Sequence, residues 1–214
     1  EFSFGSPVRP YAWAIADKNE RVLAVELENG TLLVCDALTG QPTRPAIQRP
    51  NDTSGWWGGT HGDLSLSADG RWLATGDKQS VWIWSTGTGQ LATTLAYTGR
   101  NAWGQYAFAP DGSSMATVHK GGRAVRVVAV PEGTLVTEIE ANLPSELLAA
   151  EDRWLRFSPD GMKVLVGAAD GARIHLLPPG KPAGIPIRYR RGDDAVFSPD
   201  GQRCALTSPD GGVR

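Results

Sequence analysis

The residue types able to do chemistry are few and scattered in this 214-residue chain. Three histidines, His61, His119 and His175, stand far apart. A metal centre needs such ligands joined by Cys or carboxylates at matched geometry, and no motif of that kind is present. There is no Gly-x-Ser-x-Gly elbow, no phosphate-binding loop and no His-Glu-x-x-His pair. Asp193-Asp194 forms a carboxylate pair, but it precedes an expected strand and reads as a solvated loop. Cys35 and Cys204 fall inside expected strands and read as small buried hydrophobes rather than a disulfide framework. The expectation is therefore no catalytic residue, no metal and no cofactor.

Aromatic and cationic residues are the better candidates. Trp56 and Trp57 lie among glycines in a long connection, and Arg100 and Trp103 lie in another. Arg153 and Trp154 follow Glu151-Asp152, and Arg190 and Arg191 precede the Asp pair. Trp and Arg dominate interface energies, so these eight are the partner-binding candidates. A second set is polar. Asp63, Gln105 and Asp194 each stand six residues before a recurring Asp, and they are candidates for a ring at a channel entrance.

That recurring Asp belongs to a phrase that organises the chain. It reads Leu66-Ser67-Ala68-Asp69-Gly70, Phe108-Ala109-Pro110-Asp111-Gly112, Phe157-Ser158-Pro159-Asp160-Gly161 and Phe197-Ser198-Pro199-Asp200-Gly201. A degenerate copy is Ala16-Asp17-Lys18-Asn19-Glu20, and the copies recur every 40 to 50 residues. Pro pre-sets φ, Asp bonds the local backbone and Gly leaves a type I turn, so the phrase is a tight turn between strands. Alternating pairs precede it: Leu64 and Leu66, Tyr106 and Phe108, Leu155 and Phe157. Nearly continuous apolar runs follow it, such as Trp72-Leu73-Ala74-Thr75 and Lys163-Val164-Leu165-Val166, as in a strand covered on both faces.

A third strand follows, as in Thr31–Cys35, Val81–Trp84, Ala124–Val128 and Ile174–Leu177. After a further turn (Thr39-Gly40, Thr88-Gly89, Glu132-Gly133, Pro179-Gly180) comes a weaker fourth strand near 43–47, 91–97, 135–139 and 185–189. Four short strands per unit of this length describe an all-β propeller of four-stranded antiparallel blades. A β-sandwich has similar strand spacing but does not explain why the same order of turns and strands returns.

These residues resemble the WD40 repeat, best in 62–89, where Val81-Trp82-Ile83-Trp84-Ser85 and Thr88-Gly89 follow the Asp69-Gly70 turn. The likeness covers nearly the whole chain. The turn phrase also occurs in TolB-like propellers, and the Thr-Gly turn tips the choice to WD40-like, in a bacterial style. There are departures: no Trp-Asp dipeptide occurs, His61-Gly62 reverses the family's Gly-His, and Trp84-Ser85, Cys35-Asp36, Val128-Ala129 and Leu177-Pro178 fill the dipeptide's place. The family's buried Asp-His-Ser/Thr-Trp network is thus expected to be largely missing. The resemblance implies that a fourth strand opens the next blade. That gives one partial propeller over 1–214, with units near 1–36, 42–85, 91–129 and 134–178 and an incomplete 185–214, about four and a half blades.

Open terminal blades, no N-terminal Met and no signal-peptide pattern suggest a fragment of a longer propeller. Lys and Arg number 21 against 23 Asp and Glu, a net charge of −2, which argues against a dominant nucleic-acid surface. No apolar run reaches the roughly 18–20 residues of a membrane helix. The expected role is a non-catalytic protein–protein interaction scaffold or sensor module in the cytoplasm. A protein or peptide would bind its loop-rich face, and the remaining blades of the same propeller would be its other partner. The alternative is a ligand-binding or hydrolytic propeller with its site at the central channel.

Overall fold

A computed structural model describes residues 10–16, 21–27, 30–49, 64–76, 80–96, 106–119, 124–140, 154–168, 171–177, 182–187 and 195–206. Every element among them is a β-strand. The first sheet holds β1 (Pro10–Ile15), β2 (Val22–Leu27) and β3 (Leu32–Asp36). The second holds β4 (Ser65–Leu66), β5 (Trp72–Gly76), β6 (Ser80–Ser85) and β7 (Leu91–Ala96). The third holds β8 (Tyr106–Phe108), β9 (Ser114–His119), β10 (Ala124–Ala129) and β11 (Leu135–Glu140). The fourth holds β12 (Trp154–Phe157), β13 (Lys163–Ala168), β14 (Gly171–Leu176) and β15 (Pro182–Ile187). The last holds β16 (Ala195–Phe197) and β17 (Cys204–Leu206).

All pairings are antiparallel and join consecutive strands. The expected blade limits are corrected here. The fourth strand does not open the next blade: β7 pairs with β6, β11 with β10 and β15 with β14. The sheets therefore run over 65–96, 106–140 and 154–187 instead of 42–85, 91–129 and 134–178. In the first sheet the outer position is held by two isolated bridges, Leu32 to Ile47 and Cys35 to Pro42. Pro42 and Pro45 lack the N–H groups that a continuous ladder needs. Residues 1–9, expected to add a strand through Phe2 and Phe4, lie outside the described residues.

The core lies in the seams between sheets. Along β13, Val164 and Val166 face the third sheet's Ala116, Val118, Val125 and Val127, while Leu165 faces Ala195 and Phe197 of the last sheet. These three β13 residues are 0–3% exposed. Burying each side chain contributes about 1.5–3 kcal/mol, which is why the second strands are apolar at successive positions. The second sheet shares Leu73, Trp82 and Trp84 with Ala24, Leu32 and Val34 of the first. Its opposite face joins Ala74, Val81 and Ile83 to Tyr106, Phe108 and Met115 of the third. The first strands β1, β4, β8, β12 and β16 neighbour one another in chain order, so each sheet presents its first strand inward.

The recurring phrase forms the turn expected of it. Gly70, Gly112, Gly161 and Gly201 have φ between 67° and 73°, and each donates its N–H to the residue three before. Serine adds a function that composition did not disclose. The hydroxyls of Ser67, Ser158 and Ser198 donate to Asp69, Asp160 and Asp200 at 2.5–2.7 Å. Each also accepts the N–H five residues on, at 2.9–3.0 Å. Where Ala109 replaces that serine, Ser113 supplies the hydroxyl to Asp111 from the other side, at 2.8 Å. Successive turns also touch. A Cβ on Gly112 would lie 3.3 Å from Asp69 Oδ2, and one on Gly201 would lie 3.5 Å from Pro159. The four Asp-Gly turns thus share one face.

Candidate functional site

Strand direction fixes where the connections lie. First-to-second and third-to-fourth turns leave one end of each antiparallel sheet. Second-to-third and fourth-to-first connections leave the other. Contact between successive turns aligns these ends from sheet to sheet. The long connections 50–63, 97–105, 141–153 and 188–194 therefore join strand ends opposite the Asp-Gly face. Trp56, Trp57, Arg100, Trp103, Arg153, Arg190 and Arg191 belong to them and lie outside the described residues. So do Asp63, Gln105 and Asp194, each directly before a described first-strand segment.

Trp154 is the candidate that the structure describes. It opens β12 opposite Gly167. That register is the one Gln105 would take beside Tyr106, which pairs with Thr117. Trp154 thus stands at the loop-side end of β12, at the spacing from the turn Asp that Asp63, Gln105 and Asp194 share in sequence. The signal was in the sequence, since Trp154 also stands six residues before the turn Asp, Asp160.

Several polar groups are buried within the sheets. Trp84 Nε1 donates to Thr75 Oγ1 at 3.0 Å, both groups being buried. One link of the network expected to be missing is therefore present in the second sheet. Tyr106 packs on Gly76, where a Cβ would lie 3.1 Å from the Tyr106 ring and 3.1 Å from the Ser80 carbonyl oxygen, so a side chain there would force one of them to shift. Glu26 of β2 pairs with Arg49, and both side chains are more than nine-tenths buried. Burial pushes the Glu26 carboxyl above its ordinary value, against the opposing pull of Arg49. His119 and His175 are buried at the ends of β9 and β14.

His175 also corrects the sequence alignment. The Leu177 N–H bonds the Met162 carbonyl as Thr86 bonds Arg71, Ala37 bonds Arg21 and Val130 bonds Ser113. The positions equivalent to Trp84-Ser85 are therefore His175-Leu176, not Leu177-Pro178. At this place Asp36 accepts the N–H groups of Leu38 and Thr39, both at 3.0 Å, and closes its turn.

At the Asp-Gly turns three carboxylates are held below their ordinary value. Hydrogen bonds from Ser158 and from Ser198 hold Asp160 and Asp200 below the ordinary carboxylate value. Desolvation raises Asp69, but the Arg71 N–H, the Ser67 hydroxyl and the Arg71 guanidinium outweigh it and leave it lowered. Burial raises the thiols of Cys35 and Cys204, which favours the neutral form. Among the described residues, no three His, Cys, Asp or Glu side chains converge on a metal-sized site.

No protein-family model matches the chain. A curated relative, an uncharacterized WD repeat-containing protein of Synechocystis, is 31% identical over 106 residues, 50% of this chain. The match spans 28% of that protein's length. Among solved structures, the β-propeller domain of Cps50 (Swd1) from Myceliophteria thermophila superposes with a TM-score of 0.68 at 16% identity, covering 96% of this chain and 63% of that one. Hydrazine synthase of Kuenenia stuttgartiensis gives 0.67 at 17% identity, covering 97% of this chain and 59% of that one. At such identities the structural likeness carries the fold alone.

Proposed function

We propose that this chain, a WD40-like β-propeller, is a protein-interaction module that binds a protein or peptide through its loop-rich face. The observation that carries the reading is the strand polarity. Rigid sheets deliver four long connections to one end, and loops held by a rigid scaffold are where binding residues concentrate. Those connections contain Trp56, Trp57, Arg100, Trp103, Arg153, Arg190 and Arg191. The curated relative, a WD repeat-containing protein, supports the same class.

Further blades are the second proposed partner. Leu23, Val25, Leu27 and Cys35 lie on the first sheet's face turned away from the second. On the last sheet Val196, 62% exposed, points away from the fourth. The last sheet's face is of the kind on which a neighbouring blade seats elsewhere in the chain, whereas the four first-sheet residues are already buried.

A channel site is the competing reading, favoured by the shared spacing of Asp63, Gln105, Trp154 and Asp194, each six residues before a turn Asp. The test identifies a partner by cross-linking to the full-length protein and then titrates it, purified, against Trp57→Ala, Trp103→Ala and Arg191→Ala. Weaker binding at unchanged stability is expected. Unchanged binding with lost stability would make these residues core caps and end the reading. Hydrolase or lactonase turnover lost in Asp63→Asn or Asp194→Asn would replace it with the channel site.

A further inference from the structure

The first sheet differs from the next three at one register position. Glu26 stands four residues after Val22, the residue whose carbonyl closes the first turn. The same place is Gly76 in the second sheet, Val118 in the third and Gly167 in the fourth. Only here, among the described residues, does a carboxylate enter that position.

Glu26 shares a strand face with Ala24, which packs in the seam with Leu73, Trp82 and Trp84. It meets Arg49, and the side chains are 7% and 8% exposed. The pair is a half-made fork. Arg49 Nη2 donates to Glu26 Oε1, while Arg49 Nε and Glu26 Oε2 are buried with no hydrogen bond. Removing two charges from water costs several kcal/mol per ion, and an incomplete fork recovers it poorly. An apolar side chain, as Val118 is in the third sheet, would serve stability at least as well. The pair therefore calls for a role other than stability.

Its neighbours indicate which. Ile47 and Leu32 exchange both backbone hydrogen bonds, at 2.9 and 3.0 Å. Gln48 Nε2 donates to Thr31 Oγ1 at 3.1 Å. Three consecutive residues, Ile47, Gln48 and Arg49, are thus fastened to the β2–β3 hairpin at the root of the 50–63 connection. Two residues after Leu95 and Ile139, the place Arg49 holds after Ile47, the sequence has Tyr97 and Ala141, and neither of those sheets has a carboxylate at the Glu26 position to receive a cation.

We infer that Glu26 and Arg49 are a positioning pair that fixes the direction in which the chain leaves the first sheet for the 50–63 connection. The pair specifies one exit geometry, because a charge-paired guanidinium accepts far fewer arrangements in a seam than an aliphatic side chain does. Its consequence for partner binding rests on the interaction reading proposed above.

The test compares full-length wild type with Glu26→Gln, Arg49→Ala and the double variant Glu26→Leu/Arg49→Leu. Hydrogen exchange is read at the amides of 46–49 and, as an internal control, at those of β5 and β6. Glu26→Gln and Arg49→Ala should speed exchange at 46–49 at least tenfold and leave β5 and β6 unchanged. The double leucine variant should keep the wild-type urea midpoint and still exchange fast at 46–49. Unchanged protection in the single variants would overturn the inference. So would full protection in the double variant, since apolar filling alone would then hold the root. Fast exchange together with unaltered partner affinity would leave the positioning role standing and count against the interaction reading instead.

Discussion

Substituting Gly133 tests how neighbouring sheets interlock. Gly133 ends the β10–β11 turn with φ of 73°, a left-handed conformation that costs an L-residue about 1–2 kcal/mol. A Cβ there would also lie 3.0 Å from Leu95 Cδ2 and 3.1 Å from Thr93 Oγ1, both on β7 of the preceding sheet. Overpacking of this kind adds about 1–3 kcal/mol. Gly133→Ala should therefore destabilise the protein by about 2–5 kcal/mol, the sum of the two effects. Gly30 is the control. Its φ is 78°, and a Cβ there would meet nothing within 4 Å, so Gly30→Ala should show the backbone cost alone. Urea unfolding of both variants gives the difference. Leu95→Ala should then relieve part of the Gly133→Ala cost in a double-mutant cycle. Equal costs at Gly30 and Gly133, with no coupling to Leu95, would refute the seating of each third-to-fourth turn on the outer strand of the sheet before it.

Trp84→Phe removes the donor to Thr75 and leaves a buried hydroxyl unsatisfied, so it should cost about 1–3 kcal/mol by urea unfolding. The double change with Thr75→Val should cost less than the two single changes together. For the turn carboxylates, Asp69, Asp160 and Asp200 have folded pKa values below their unfolded ones. Their stabilisation is present above the unfolded value, about 4, and is lost as pH falls through the lower folded values. Urea midpoints should drop below about pH 4, and Asp160→Asn with Asp200→Asn should flatten that drop. An unchanged acid limb would refute the assignment.

Local chemistry made most of the fold legible. Pro, Asp and Gly at fixed offsets specify a turn without help from distant residues, and period-two alternation specifies the strands beside it. Which sheet a strand completes is not local. The alternation in 91–96 fits a partner on either side, and the ladder from β6 to β7 is what decides it. The third strand of the fourth sheet shows the same limit. Apolar residues continue from Ile174 through Leu177, so hydrophobicity could not locate the place equivalent to Trp84, and the Leu177 to Met162 bond does. The candidate binding residues were legible as types, Trp and Arg in long connections. Register places Trp154 in the inner strand β12 and not in the loop set, as its six-residue spacing from Asp160 already allowed.

The pairing of strands only with their successors bears on how the chain emerges during synthesis. Among the described strands none waits for a partner encoded far downstream, so loop-closure costs stay small and contact order within a sheet is low. At roughly 5–20 residues per second, a sheet of about 40 residues leaves the ribosome every two to eight seconds or so. That is far longer than the microseconds a hairpin needs to form. Each sheet can then dock on the one made before it, with its Asp-Gly turn laid against the previous turn as a ready template.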